Sequence, residues 1–328
     1  MSILVTGGAG YIGSHTVLEL LNKGEEVIVV DSLYKGHKDS VLGGKLYVGD
    51  IRDGEFLDKV FKENDIEGVI HFAADSLVGE SMNDPFKYYH NNVYGTLMLL
   101  DKMKEKRVDK IVFSSTAATY GEPENIPILE SDKTEPTNTY GETKLSMEKM
   151  MKWFNKGYGI RYTALRYFNA AGADESGKIG EDHIPETHLI PIIFQVALGK
   201  KEKILIYGDD YDTKDGTCVR DYIHVSDLAQ AHILAFEKMR NGGDSSLYNL
   251  GSGSGITVKE VIDTVRMITG HSIPTEMAQR RVGDPAVLIA SSDKIKAELG
   301  WTPKYDNLGA IIQTAWNWHK NNPNGFRK

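Results

Sequence analysis

Tyr140 and Lys144 stand four residues apart in Thr139-Tyr140-Gly141-Glu142-Thr143-Lys144, where the periodicity predicts a helix from near Thr139 to about Lys156. Residues i and i+4 share one helix face, so phenol and ammonium point the same way. A tyrosine is a poor base at its ordinary pKa of about 10, and a lysine one turn away favours the phenolate. Such a phenolate could take a proton from a substrate alcohol. Some 25 residues earlier, roughly the distance of one loop, Ser114-Ser115-Thr116 follow the predicted strand Lys110–Phe113. Thr116 could hold the alcohol oxygen and relay its proton. Tyr-x-x-x-Lys recurs by chance on amphipathic helices, so its weight comes from the company it keeps.

That company begins at the other end of the chain. Ile3-Leu4-Val5 runs into Gly7, Gly8, Gly10 and Gly13, which satisfy G-x-G-x-x-G and G-x-x-G-x-x-G, and these open a helix from Tyr11 to about Lys23. One glycine allows the tight turn, one lets backbone approach a pyrophosphate, and one lets helix pack on strand. The pyrophosphate would sit on the helix N-terminus. A second strand, Glu26–Val30, ends in Asp31, about 18 residues past Gly13, where a carboxylate would accept both ribose hydroxyls of an adenosine. Asp31 argues for NAD over NADP, because a 2′-phosphate would meet a like charge. The positive nicotinamide ring of such a cofactor would further favour a Tyr140 phenolate while hydride leaves the same substrate carbon. Beyond the strand Lys45–Val48, Asp50 and Ile51 could clamp an adenine; a plain turn serves as well.

The elements that must position these groups alternate strand and helix through the first half. Asp53 caps a helix to about Asn64, Val69–Ala74 reads as a buried parallel strand, and a long helical pattern runs from about Pro85 to Lys106. A further strand, Tyr162–Arg166, precedes Tyr167-Phe168-Asn169. The fold class is therefore α/β: a doubly wound parallel Rossmann-type sheet, whose strand carboxyl ends make the ligand crevice, with a smaller α/β substrate domain. From Ala171 the texture shifts to Gly-, Asp- and Pro-rich loops, which places the boundary near residue 170.

The chain has 328 residues, 41% of them apolar and 26% charged, with a net charge of −8. That balance argues against a nucleic-acid surface, so an anionic ligand must be held by local Arg or Lys. One cysteine, Cys218, excludes an internal disulfide framework and fits a reducing compartment. No metal site is expected. The first strand leaves no room for a signal peptide and no window spans a membrane, so the expected location is cytoplasmic.

These stretches resemble the extended short-chain dehydrogenase/reductases. His71-Phe72-Ala73, Asn91-Asn92-Val93, Gly216 through Val225, Tyr248-Asn249-Leu250-Gly251 and Arg280 through Asp284 narrow the resemblance to the UDP-glucose 4-epimerase family, over most of the chain. The resemblance implies one NAD and a homodimer. It also implies oxidation of C4 of a UDP-hexose to a transient ketone, rotation of the sugar, and return of hydride to the other face. In that reading Tyr140 is the base, Lys144 its partner and a cofactor ligand, and Thr116 the relay hydroxyl. The cofactor would be bound by Gly7, Gly10, Tyr11, Ile12, Gly13, Asp31, Asp50, Ile51, Phe72, Ala73, Asn91, Ser114, Tyr140, Lys144 and Tyr167. The UDP-sugar would be held by Thr116, Tyr140, Phe168, Asn169, His188, Leu189, Tyr207, Arg220, Arg281, Asp284 and Leu288. Two arginines can neutralise a diphosphate, and Asp284 can accept from ribose hydroxyls. Leu288 would line the sugar pocket near C2, where its intermediate size leaves room for a 2-acetamido group. The resemblance also returns about 221–251 to the first domain, so that 1–170 and 171–328 interleave. It departs at Asp75-Ser76, where relatives often carry a lysine that reaches the cofactor.

Two other functions share parts of this pattern. A nucleotide-sugar 4,6-dehydratase needs a carboxylic acid and a carboxylate beside the strand-end hydroxyl, but Ala117 and Ala118 follow Thr116. A non-enzymatic NAD-sensing protein has no use for Tyr140, Lys144 and Thr116 together. A surplus of apolar residues on the helices at 85–106 and 139–156 (Leu97 to Leu100 and Met103; Leu145, Met147, Met150, Met151 and Phe154) predicts a second covered surface, the homodimer contact.

Overall fold

A computed structural model describes residues 1–281 and 285–327. The chain opens with β1 (Ser2–Thr6), α1 (Tyr11–Asn22), β2 (Val27–Asp31), β3 (Lys45–Val48), α2 (Gly54–Glu63) and β4 (Ile66–His71). Then come α3 (Val78–Asn83), α4 (Pro85–Tyr88), α5 (Gly95–Lys106), β5 (Lys110–Ser114), α6 (Thr139–Tyr158) and β6 (Arg161–Tyr167). The second half holds β7 (Asn169–Ala171), α7 (Leu189–Ala197), β8 (Ile204–Tyr207), β9 (Val219–Arg220), β10 (Tyr222–His224), α8 (Val225–Arg240) and β11 (Ser246–Leu250). Last are β12 (Ile256–Thr257), α9 (Val258–Thr269), β13 (Thr275–Ala278), β14 (Val287–Leu288), α10 (Asp293–Leu299) and α11 (Leu308–Asn321).

Among the described residues the main sheet has seven strands in the order β11-β6-β5-β4-β1-β2-β3, every pair parallel. The order reverses beside β1, where a doubly wound sheet opens its crevice. Every residue of β1 and β2 is buried, because helices cover both faces and continuous apolar runs are then required. Val17 and Leu20 of α1 and Leu228 and Phe236 of α8 fill one face. Leu57 and Val60 of α2, Leu99, Leu100 and Met103 of α5, and Met147 and Met151 of α6 fill the other. The late residues build their own core from α7, α9 and α11, including Phe194, Val261 and Trp316, around three small sheets. Cys218 is buried.

Caps set the helix that carries Tyr140. The Asn138 side chain accepts from Gly141 N at 2.9 Å at the start of α6, and Gly159 ends it in a left-handed conformation (φ 74°). Such an N-cap is worth about 1 kcal/mol and fixes Tyr140 as the second helical residue.

Two elements differ from the sequence expectation. The strand expected over 69–74 begins at Ile66 and stops at His71. Both Phe72 N and Ala73 N donate to the Thr6 carbonyl, which turns the chain across the end of β1. The single helix expected from Pro85 to Lys106 is interrupted by a π-helical turn over Tyr89–Tyr94. Asn92, inside that turn, is buried. Its amide oxygen accepts from Asp75 N at 2.8 Å, and its amide nitrogen donates to Asp75 O at 3.0 Å and to Thr143 at 3.2 Å. The wider turn pays for that clamp on the loop after β4.

Candidate active site

The crevice lies at the carboxyl ends of the strands, and its floor is backbone. Gly7 sits at φ +71°, and a Cβ there would meet Ala73 N at 2.6 Å; one on Gly13 would meet the Gly7 carbonyl oxygen at 2.1 Å. A side chain at Gly7 would push away the chain that follows β4, and one at Gly13 would push α1 away from the end of β1. Gly10 caps α1 with no side-chain bond, which leaves the first-turn amides aimed into the crevice. Beside them, Asp31 is buried and accepts from Ala9 N at 3.0 Å and Leu33 N at 2.8 Å, one bond per carboxylate oxygen. Each oxygen retains lone-pair capacity. Burial raises the Asp31 pKa, and the two amide bonds oppose the rise. Bare helix amides, a glycine floor and an acidic strand end fit a dinucleotide without a 2′-phosphate, which is NAD.

Around this floor the structure places the other predicted residues. Tyr11 donates its hydroxyl to Gly172 O at 2.6 Å, and Ile12 packs against the core beneath. Ile51 is buried, while the Asp50 carboxylate is gripped by Arg52, which holds it below the usual carboxylate range. Phe72 packs 4.6 Å from the His232 ring, and Asn91 donates to Asn92 at 3.3 Å. The Ser114 and Tyr167 hydroxyls are 2.5 Å apart. Asp75, at the departure from the family pattern, is buried with Lys87 Nζ 3.8 Å away.

Tyr140, Lys144 and Thr116 come together as the spacing predicts. Lys144 is buried; its Nζ donates to Ser114 O at 2.8 Å and lies 5.9 Å from the centre of the Tyr140 ring. The electrostatics differ from the expectation. Burial pushes Tyr140 up to about 12, against a smaller opposing effect of its hydrogen bond to Thr116. Burial also pulls Lys144 down to about 7, opposed by the charge of Glu148. Desolvation therefore outweighs the lysine–tyrosine attraction, because the ammonium faces a carbonyl and ring faces in a poorly hydrated site.

The second-half residues form the opposite wall. Arg220 on β9 donates to Val219 O at 2.7 Å and Pro285 O at 3.0 Å, and Leu288 on β14 lies in register with it. Leu288 and Phe168 pack on Ala117, Tyr120 and Ile128, next to Thr116. Asn169 donates through N and Nδ2 to Asp221 O at 3.2 and 3.1 Å. Arg281 is exposed and lies 4.1 Å over the Tyr207 ring. Asp284 is outside the described residues.

His188 caps α7 just before Leu189 and belongs to a cluster the spacing did not reveal. His188 Nδ1 lies 3.0 Å from Glu181 and 2.9 Å from Glu186, and His183 Nδ1 is 3.3 Å from Glu181. These carboxylates hold His183 up at about 9 and His188 at about 10, against their burial. All four ligand atoms lie within 4.8 Å of one another; each imidazole stands at ion-pair distance from a carboxylate, although the buried His183 Nδ1 makes no hydrogen bond. The sequence also hid Glu148, whose carboxylate accepts from Ser115 and Arg166 beneath the tyrosine–lysine pair. Its one signal was a second i+4 step beyond Lys144.

A parallel sheet with a glycine-floored crevice, an acidic second strand end and a tyrosine–lysine helix face defines a Rossmann-type dinucleotide-binding protein. The chain belongs to the NAD dependent epimerase/dehydratase family, which matches residues 3–251. A UDP-glucose 4-epimerase of Halalkalibacterium halodurans is 62% identical over 99% of this chain and 98% of that one. A UDP-glucose 4-epimerase crystal structure superposes with a TM-score of 0.99 at 58% identity, covering 100% of both chains. The Bifidobacterium longum UDP-glucose 4-epimerase, solved with NAD+ and UDP, is 43% identical with a TM-score of 0.94, covering 99% of this chain and 100% of that one. No helix among the described residues is long and apolar enough to cross a membrane.

Proposed function

We propose that this protein is an NAD-dependent UDP-glucose 4-epimerase that interconverts UDP-galactose and UDP-glucose through a transient 4-keto sugar. The observation that carries the reading is the convergence of Tyr140, Lys144 and Thr116 at the end of β5, on the glycine-floored crevice. Likeness to whole-length UDP-glucose 4-epimerases supports it. When bound, NAD takes up and returns one hydride, and its positive ring favours a phenolate. Tyr140 removes the proton of the C4 hydroxyl as the C4–H bond breaks, and returns it when the turned ketone is reduced on its other face. Thr116 holds the C4 oxygen during each proton transfer, releasing it while the ketone turns, and Lys144 opposes the phenolate charge.

In this reading the cofactor is held by Gly7, Gly10, Tyr11, Ile12, Gly13, Asp31, Asp50, Ile51, Phe72, Ala73, Asn91, Ser114 and Tyr167. The UDP moiety is held by Phe168, Asn169, His188, Leu189, Tyr207, Arg220, Arg281 and Asp284, and Leu288 borders the sugar. Residues 1–170 together with 221–251 form the NAD-binding domain, and the rest of 171–328 the sugar-nucleotide domain. A cytoplasmic homodimer completes the reading. The test is direct: purified protein given UDP-galactose without added NAD should form UDP-glucose. If no UDP-glucose forms even with NAD in excess, the reading fails.

A further inference from the structure

Tyr140, Lys144 and Glu148 follow one another at four-residue steps along the face of α6 turned to the sheet. Glu148 is buried and fully engaged. One carboxylate oxygen accepts from Ser115 Oγ at 2.5 Å and Arg166 Nε at 2.9 Å; the other accepts from Arg166 Nη2 at 2.5 Å. Ser115 N bonds to Leu165 O at 2.9 Å, so a single carboxylate ties α6 to the end of β5 and to β6. The Arg166 guanidinium lies 4.7 Å from the Tyr120 ring centre, and Tyr120 donates to Asn249 at 2.7 Å on β11. A buried ion pair is a costly way to fasten a helix, since apolar residues of the same volume do it as well or better. The charge itself therefore needs a reason.

The groups around Lys144 supply one. From α6 it meets Tyr140 and Glu148, and from β5 the Ser114 carbonyl and the Phe113 ring, 4.9 Å away; on β6, Tyr167 neighbours Tyr140 and Arg166 pairs with Glu148. His71 on β4 and His232 on α8 are held neutral by burial, at about 3 and about 4. At neutral pH the two tyrosines are uncharged as well. Among the described residues facing Lys144, Glu148 alone is an anion, and it acts to keep the ammonium charged. It also faces Tyr162 of β6, a neutral phenol.

We propose that Glu148 is a positioning residue for the proton transfer: its carboxylate, pinned by Ser115 and Arg166, seats α6 and supplies the counter-charge that keeps Lys144 an ammonium beside Tyr140. This rests on the proposed roles of Tyr140 and Lys144. Losing the counter-charge makes Lys144 shed its proton at lower pH, so the phenolate loses its partner and the alkaline limb of activity moves down.

The test uses NAD-loaded protein with 13C-labelled lysines, the Lys144 signal being identified by its loss in Lys144→Met. Its titration midpoint and the kcat–pH profile are read in the parent, Glu148→Gln, Ser115→Ala and the double variant Glu148→Gln/Arg166→Gln. In Glu148→Gln both the midpoint and the alkaline limb should fall by about one pH unit, tenfold in proton affinity. Ser115→Ala keeps the charge, and its midpoint should stay with the parent. The double variant removes the pair together and leaves no lone buried charge, so it tests the idea even if Glu148→Gln folds poorly; its midpoint should fall too. An unmoved Lys144 midpoint in the charge-removing variants overturns the proposal, whatever happens to activity. A fallen midpoint in a protein that epimerises nothing would sustain the Glu148–Lys144 link while refuting the proposed reaction.

Discussion

Burial, rather than its lysine neighbour, sets the acidity of Tyr140, so most of its basicity must be created by a bound cofactor and substrate. Tyr140→Phe should lower kcat by about 10²–10⁴-fold while leaving NAD content, measured after denaturation, at the parent level. Near-parent turnover would remove Tyr140 from the mechanism. Leu288 carries a second residue-scale prediction. Leu288, like Phe168, packs on the Tyr120 cluster; it lacks the ring of a tyrosine and leaves space for a 2-acetamido group, so UDP-N-acetylgalactosamine should turn over, more slowly than UDP-galactose. An acetamide must still find hydrogen-bond partners in the space it fills. Leu288→Tyr should abolish the acetamido activity and spare the plain sugar in a side-by-side assay; equal use of both would show that the gate lies elsewhere. The histidine–glutamate cluster makes stability depend on pH. His183 and His188 are raised from 6.5 to about 9 and about 10. Their contribution is complete below pH 6.5 and is lost as pH climbs through those values. Glu181 and Glu186 are lowered by the same pairs, so their contribution holds above 4.5 and is lost in acid. The melting temperature of the parent should thus fall on going from pH 6.5 to 10, and His183→Gln/His188→Gln should flatten that limb.

At the scale of elements, the glycine turn is the least forgiving place in the molecule. An alanine at Gly13 would put its methyl group 2.1 Å from the Gly7 carbonyl, so α1 must separate from β1. Gly13→Ala should lose at least about tenfold in NAD affinity, the equivalent of about 1.4 kcal/mol, by fluorescence titration, and should melt at a lower temperature. Much of this was legible in the sequence, because strand apolarity, the glycine spacing and the Asp53 cap are local signals. The π turn at Tyr89–Tyr94 was not. It exists because Asn92 clamps the loop at Asp75 from 17 residues away, and no periodicity reports a bond between elements. The same holds for Glu148 and Arg166, whose meaning depends on which strands α6 lies against. The tyrosine, lysine and threonine were readable because their geometry is set within one helix and one strand end. The pKa directions were not, because desolvation is a property of the packed site.

The whole molecule presents an apolar region on the helices flanking the sheet. Phe86 is 77% exposed on α4, Trp153 is 65% exposed on α6, and Tyr94 and Leu97 are 41% exposed along the π turn and α5. Phe86, His90 and Tyr94 stack in a column with centroids 5.5 and 5.3 Å apart. Most of the apolar surplus noted in the sequence, including Leu99, Leu100, Met103, Leu145, Met147 and Met151, is spent in the core. The residues left outside are the ones a second copy would cover. Light scattering at micromolar concentration should give a dimer mass, and Leu97→Glu/Trp153→Glu should give a monomer; a monomeric parent would contradict the contact. The position of β11 has a different consequence, one of timing. Six strands of the sheet are complete once residue 167 has been made, yet β6 keeps a bare edge until residues 246–250 arrive to pair with it. An uncovered parallel edge is a template for foreign strands. During synthesis the six-stranded sheet must therefore wait with that edge open while some 80 further residues, those between β6 and β11, are translated. Vectorial folding of this chain is a race between that last strand and any neighbour that finds β6 first.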